Sequence, residues 1–103
     1  MSHMPLTPRL SAKLAALFSA EDVPFAEQWL LSECGPEIPG GVKDAGWVER
    51  VRAAALKMSR GSLHRLADAT RLGQTDWRDL LMVAGFGENV TSYDAWLNEP
   101  NSN

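Results

Sequence analysis

Few residues of this chain have the types that catalysis requires. His64 is the only histidine outside the N-terminal Met-Ser-His, and it stands four positions before Asp68, so the two could meet on a helix as a base and its orienting carboxylate. No strong nucleophile accompanies them, because the single cysteine, Cys34, has the acidic neighbours Glu33 and Glu37. Such helix pairs are commonly solvent-exposed, so we predict a protein that is not an enzyme. An enzyme that uses His64 stays open as a further alternative.

Metal and cofactor sites are not predicted either. The sequence has no pair of Cys or His residues at ligand spacing. Asp76 and Asp79 are three positions apart, but two carboxylates near a helix start are explained by the helix dipole. No small-molecule ligand is evident. A single cysteine permits no intrachain disulfide, which favours a cytoplasmic location.

The chain has 103 residues and a net charge of −3, and that charge is unevenly distributed. Residues 1–42 carry two basic and five acidic groups, residues 43–78 eight basic and four acidic groups, and residues 79–103 four acidic groups and no basic ones. Neighbouring helices could neutralise one another, or the middle segment could present a basic face to a partner. The residues of that predicted face are Arg50, Arg52, Lys57, Arg60, Arg65 and Arg71, with Trp96 as a bordering exposed aromatic.

Helix signals run along the chain, whereas β-branched residues never alternate over a length that would form a strand. Side chains that accept a hydrogen bond from the first helical turn mark the helix starts, and proline suits the first helical position. The four tryptophans, Trp29, Trp47, Trp77 and Trp96, fall on different predicted helices and should anchor contacts between them. The predicted capping residues are Thr7 with Pro8, Ser19 with Asp22, Ser62, Thr75, and Thr91 with Asp94.

Residues 35–43, GPEIPGGVK, contain two prolines and three glycines and predict a loop. The following helix, about residues 44–60, has an apolar stripe on one side, with Glu49 opposite that stripe. Leu56 is the exception on the polar side, and it could contact a second neighbouring helix or a partner. This pattern predicts a helix that is buried on one face only.

The segment TDWRDLLMVAGFG, residues 75–87, is predicted to be a separate helix. Gly73 ends the helix before it, and Phe86 folds back after the terminal glycine as a hydrophobic contact. Because the segment is apolar nearly all round, we expect it to be the most buried helix of the protein. Arg78 is its one basic residue, and we expect it to pair with a carboxylate from the acidic ends of the chain.

The tight turn between these two helices resembles that of a helix-turn-helix DNA-binding motif. The second helix would then have to contact bases, yet it places Arg78 between Asp76 and Asp79, which would repel phosphates. Its apolar residues are needed in the core. The sequence therefore argues against nucleic acid as a partner, and binding of a nucleic-acid backbone through the basic face is kept as the alternative function.

The Asp-Trp-Arg-Asp-Leu-Leu run followed by Ala-Gly-Phe-Gly resembles small hypothetical bacterial proteins of helical type. The resemblance covers residues 47–97. It implies a bacterial and cytoplasmic origin, and it carries no activity and no site residues.

We therefore expect one all-α domain over residues 4–99, a compact bundle of five to six short helices around a single core. Residues 1–3 are interpreted as a remnant of cloning and residues 100–103 as a frayed tail. No apolar run is long enough for a membrane span. The expected function is that of a small non-catalytic protein-interaction or regulatory module, whose basic face binds an acidic partner or a second copy of the chain.

Overall fold

Five helices follow one another along the residues that the computed structural model describes, which are 4–36, 38, 40, 44–87 and 90–99. The described residues contain no strand, so the predicted all-α class is confirmed. Part of the predicted loop at 35–43, the predicted cloning remnant and the predicted frayed tail lie outside them. The helices are α1 (Pro8–Leu17), α2 (Val23–Glu33), α3 (Ala45–Ser59), α4 (Leu63–Ala84) and α5 (Val90–Asn98).

Side-chain caps hold the starts of three helices. Thr7, Asp44 and Ser62 each accept a hydrogen bond from the backbone N–H three residues further on, at 3.4, 3.1 and 3.3 Å. Pro8 occupies the first turn of α1, where its missing N–H would have no helical partner. The predicted caps at Thr7 and Ser62 are therefore confirmed, and Asp44 adds a third.

Two predicted capping boxes do not form. The side chain of Asp22, which precedes α2, makes no capping hydrogen bond, so its pairing with Ser19 was wrong. α5 begins at Val90, which places Thr91 inside the helix rather than at its cap. Both predictions relied on residue spacing alone, and such spacing also occurs where the backbone does not take the capping conformation.

α3 is the central helix of the bundle. The side chains of residues 53–56 are all fully buried, and four successive residues point in four different directions around a helix. Leu56, the exception on the predicted polar side, is thus packed in the core. The expectation that residues 75–87 form the most buried helix was wrong, because Met82 and Val83 are 68% and 57% exposed. The short alanine side chains of α3 let its neighbours pack on every side.

α4 is one element that bends at Asp76, whose φ of −157° and ψ of 93° are not helical. The Oδ1 atom of Asp76 accepts hydrogen bonds from the backbone N–H groups two and three residues further on, at 3.1 and 3.4 Å. Asp76 thereby caps the second half of α4. The predicted break between two helices is therefore present, but it lies slightly later than predicted: the first half of α4 continues through Gly73 and Thr75, and Asp76 rather than Thr75 caps the second half.

Gly85 ends α4 in a left-handed conformation with a φ of 81°. The N–H of Phe86 bonds to the carbonyl of Leu81 at 2.8 Å and that of Gly85 to the carbonyl of Met82 at 3.0 Å, which is the Schellman arrangement. The Phe86 ring then turns back into the core, 5.9 Å from the ring of Trp96 between centroids. The predicted hydrophobic contact after this helix is confirmed.

The tryptophans connect different elements, as predicted. Trp47 of α3 and Trp77 of α4 meet edge to face, with ring centroids 5.2 Å apart. The indole N–H of Trp29 donates to the Oγ1 atom of Thr70 at 2.7 Å, which ties α2 to α4. Among the described residues, no helix is both long and apolar enough to cross a membrane.

Candidate functional site

Two cations of the predicted basic face hold the C-terminal end of α4. Both Nε and Nη2 of Arg50 donate to the carbonyl of Phe86, at 2.9 and 2.6 Å. The Nζ atom of Lys57 donates to the carbonyl of Ala84 at 2.8 Å and lies 4.9 Å from the centroid of the Phe86 ring. The carbonyls at a helix end lack helical partners and carry the negative pole of its dipole. Arg50 and Lys57 therefore fasten α3 to α4.

Arg52 is buried, with 1% of its surface exposed. Its Nε atom donates to the carbonyl of Cys34 at 2.6 Å, and its Nη1 atom to the carbonyl of Pro5 at 3.4 Å. The prediction that Arg52 belongs to an exposed basic face was wrong. The prediction assumed that α3 is buried on one face only. In the structure, neighbouring helices also cover the side of α3 next to its apolar stripe, where Arg52 lies.

The remaining predicted site residues do not converge on one face. Arg60 and Arg65 are exposed, and within the described part of the chain neither side chain has a hydrogen bond or an ion pair. Trp96, predicted to be the most exposed tryptophan, is half-buried, with the Nζ atom of Lys13 4.7 Å from its ring centroid. Trp29 is the tryptophan that reaches the surface, at 39% exposure.

A groove opens beside the second half of α4, with a volume of about 380 Å³. Trp77 is half-buried in its wall and Met82 lies exposed at its rim. Both of its charged lining residues are arginines, and none of the described lining residues is acidic. Electrostatically it is a basic groove with an aromatic wall. The lining residues are Arg50, Trp77, Arg78, Leu81, Met82 and Gly87, and we call this site the basic groove.

Arg78 does not form the ion pair expected from the sequence. Its guanidinium carbon lies 5.2 Å from the centroid of the Trp77 ring, and no carboxylate of the described residues pairs with it. Arg78 is exposed, and its guanidinium lies over the face of an indole, which attracts a cation. The expectation was therefore wrong within the described chain, and the guanidinium remains accessible at the basic groove.

A polar cluster that sequence reasoning missed joins α1, α3 and α5. The carboxylate of Glu49 accepts hydrogen bonds from Nη2 and Nε of Arg9 at 2.8 and 3.1 Å, from the Tyr93 hydroxyl at 2.9 Å and from the Thr7 hydroxyl at 2.5 Å. Arg9 also pairs with Asp94 at 2.5 Å. These partners lie about forty or more residues from Glu49, so no local spacing could have indicated them.

The cluster keeps Glu49 ionised. The Arg9 hydrogen bond, opposed by burial, lowers the pKa of Glu49 from 4.5 to about 2, and the same bond raises the pKa of Arg9. Burial, followed by the bond to Glu49, raises the pKa of Tyr93. A carboxylate has about four acceptor positions, and the four bonds to Glu49 occupy them. The cluster is therefore a structural joint between helices and not a general base.

His64 and Asp68, the pair kept as a catalytic alternative, make only a loose contact at the surface. Nε2 of His64 and Oδ2 of Asp68 are 3.8 Å apart, and their side chains are 89% and 57% exposed. Oδ1 of Asp68 also lies 3.5 Å from Nη1 of Arg71. The thiol of Cys34 is buried at the C-terminal end of α2. Within the described residues, no three His, Cys, Asp or Glu side chains lie together in a way that could hold a metal ion.

A second surface feature lies on α2. Phe25 is 67% exposed, and Trp29, four residues later on the same helix face, is 39% exposed. The acidic residues Glu21 and Glu27 near them are also exposed, and residues 14–42 contain five acidic and no basic side chains. We call Phe25, Trp29 and these two glutamates the acidic aromatic face.

Comparisons with protein-family models, curated proteins and solved structures found no match to this chain. The resemblance of residues 47–97 to small hypothetical bacterial proteins therefore gains no support from them. Any functional argument has to start from the two surface features themselves.

Proposed function

We propose that the protein is a small non-catalytic interaction module, and that the basic groove binds an acidic, partly apolar segment of a protein partner. One observation carries the proposal: Arg50 and Arg78 line a single groove together with Trp77 and Met82, without an acidic side chain among its described lining residues. Arginine and tryptophan are the residue types that contribute most to binding at protein interfaces. Complementary charge adds specificity and speeds the encounter.

The two arginines would contribute differently. Both bonds from Arg50 to the Phe86 carbonyl hold its guanidinium in place, so it meets a ligand without losing further conformational freedom. Arg78 is exposed and rests on the Trp77 ring, from which it can swing towards a carboxylate. The groove thus pairs a fixed cation with an adjustable one. It replaces the wider six-residue face, because Arg52 is buried and the other four cations of that face do not line the groove.

A nucleic-acid backbone is the less favoured ligand. Among the described lining residues only two are cations, and Asp76 and Asp79 lie close to Arg78 in sequence on the same helix. A phosphate backbone needs several neutralising contacts along its length. An enzyme that uses His64 has no supporting observation, because that side chain is almost fully exposed.

Selection from a random peptide library displayed on phage would test the proposal. We expect enrichment of peptides with Asp or Glu beside Trp, Phe or Leu. Fluorescence anisotropy with an enriched peptide should show at least about tenfold weaker binding for Arg78→Glu. Arg65→Glu is the matched control, because Arg65 is another exposed arginine of α4 that does not line the groove.

Three outcomes would overturn the proposal. The library could yield no acidic preference. Arg78→Glu and Arg65→Glu could weaken peptide binding equally, which would indicate a general charge effect. Single-stranded oligonucleotides could bind the groove more tightly than any peptide, with an affinity that falls steeply with salt, and this would establish the nucleic-acid alternative.

A further inference from the structure

We propose that the segment which occupies the basic groove is α2 of a second copy of the same chain, with Phe25 inserted beside Trp77. This inference rests on the proposed function and names its partner. It connects two features that the monomer leaves unexplained, namely a large aromatic side chain in solvent and an open groove lined by cations. Phe25 is 67% exposed although an aromatic side chain gains a large amount of free energy from burial.

The acidic aromatic face is arranged to project Phe25. The indole N–H of Trp29 is bonded to Thr70 at 2.7 Å, and the side-chain amide of Gln74 donates to the carbonyl of Glu33 at 2.8 Å. These bonds fix α2 on the first half of α4. Phe25 therefore stands out from a rigid helix, and little order would have to be gained when it binds.

The charges of the two surfaces are complementary. Glu21 and Glu27 are exposed on either side of Phe25 in the chain, in a segment that contains no basic residue. Arg50 and Arg78 line the groove, whose described lining includes no acidic residue. In the proposed contact, an aromatic side chain with acidic neighbours on one copy would meet an aromatic wall with basic neighbours on the other. This complementarity favours the docking over an unspecific apolar contact.

The groove is large enough for the ring of Phe25, and a groove occupied by α2 requires two molecules. A cavity of roughly 150 Å³ already admits benzene, and the groove has about 380 Å³. No residue of α2 lines the groove, so α2 does not fill the groove of its own molecule. Because the two surfaces differ, the contact is heterologous, and a bound pair still offers one free groove on one copy and one free Phe25 on the other. Such contacts generate open chains or closed rings rather than a symmetric dimer.

Two surface variants test this arrangement by complementation. Phe25→Ala removes the inserted side chain, and Arg78→Glu replaces one of the two groove cations with a carboxylate. We expect the mass of the native chain to increase with concentration in sedimentation equilibrium, and each variant alone to stay monomeric. An equimolar mixture should form a one-to-one heterodimer, because the intact Phe25 of one variant fits the intact groove of the other. Circular dichroism should show unchanged helix content in both.

Val83→Ala is the matched control. Val83 is an exposed apolar residue of α4 outside the groove, so its loss should leave self-association unchanged. A native chain that stays monomeric at millimolar concentration, or a mixture that stays monomeric, would overturn the inference. Acidic library peptides that still bind the groove in that case would leave the proposed function intact. Peptide binding that is insensitive to Arg78→Glu would instead reject the groove itself.

Discussion

Arg9 of α1 and Glu49 of α3 share two hydrogen bonds, at 2.8 and 3.1 Å, although forty residues separate them in the chain. The same carboxylate accepts bonds from Thr7 and Tyr93. One side chain of the central helix thus joins both ends of the described chain. A buried carboxylate that depends on these partners makes the fold sensitive to protonation.

Acid should destabilise the protein through Glu49. Its pKa is lowered from 4.5 to about 2, so as the pH falls through this interval the unfolded chain takes up a proton that the folded chain does not. The contribution is present above pH 4.5 and is lost as the pH falls to about 2, on the order of 2–3 kcal/mol. Urea unfolding across this interval measures it. Glu49→Gln should flatten the dependence, and parallel curves for the two proteins would contradict the assignment.

Arg50 should stabilise the fold independently of any ligand. Arg50→Met keeps the apolar stem but removes both hydrogen bonds to the Phe86 carbonyl, so we expect a loss of about 1–2 kcal/mol in the free energy of unfolding. Arg65→Met, at an exposed arginine, should change it by less than about 0.5 kcal/mol. Both values follow from the midpoints of urea unfolding, if the dependence of the free energy of unfolding on urea concentration is unchanged. Equal midpoints for the two variants would show that the contact with Phe86 contributes nothing.

Two glycines with nearly the same φ should respond differently to alanine. Gly61 and Gly85 have φ values of 80° and 81°, but a Cβ atom on Gly61 would lie 2.5 Å from the carbonyl oxygen of Leu17. The nearest atom to a Cβ on Gly85 is Nζ of Lys57, at 3.8 Å. Gly85→Ala should cost about 1 kcal/mol from backbone strain alone, and Gly61→Ala about 3 kcal/mol or more. Similar thermal unfolding midpoints would mean that α1 does not approach the α3–α4 turn this closely.

The bend in α4 should depend on Asp76 and not on Thr75. Asp76→Ala leaves two backbone N–H groups without their acceptor, and we expect a loss of about 0.5–2 kcal/mol. The Thr75 hydroxyl only donates back to the carbonyl of Arg71 at 3.0 Å, so Thr75→Ala should have almost no effect. Chemical denaturation compares the two. A larger loss for Thr75→Ala would place the cap at Thr75, as the sequence predicted.

The features that could be predicted from the sequence are those whose chemistry lies within a few residues. The caps at Thr7 and Ser62 and the Gly85–Phe86 stop are of this kind, because the partner atoms are at most five residues away. The basic character of the site was also visible in the composition. Its location was not, since whether Arg50 or Arg52 reaches solvent depends on which helices cover α3.

The same limit explains the two largest errors. An apolar stripe indicates that one face of a helix is buried, but it does not show whether further helices cover the remaining faces. The sequence therefore placed Glu49 opposite the stripe and gave no indication of its partners. It also assigned the central position to residues 75–87, whereas α3 occupies that position. Small residues such as those at 53–55 are compatible with an exposed helix or an enclosed one, and only tertiary packing decides between them.

The enclosure of α3 has a consequence for how the protein loses its structure. α3 packs against α1, α4 and α5, so the detachment of any of these helices exposes apolar surface of the central one. No subset of helices keeps a complete core. The chain should therefore unfold as one cooperative unit, and its central helix should open only when the whole molecule does.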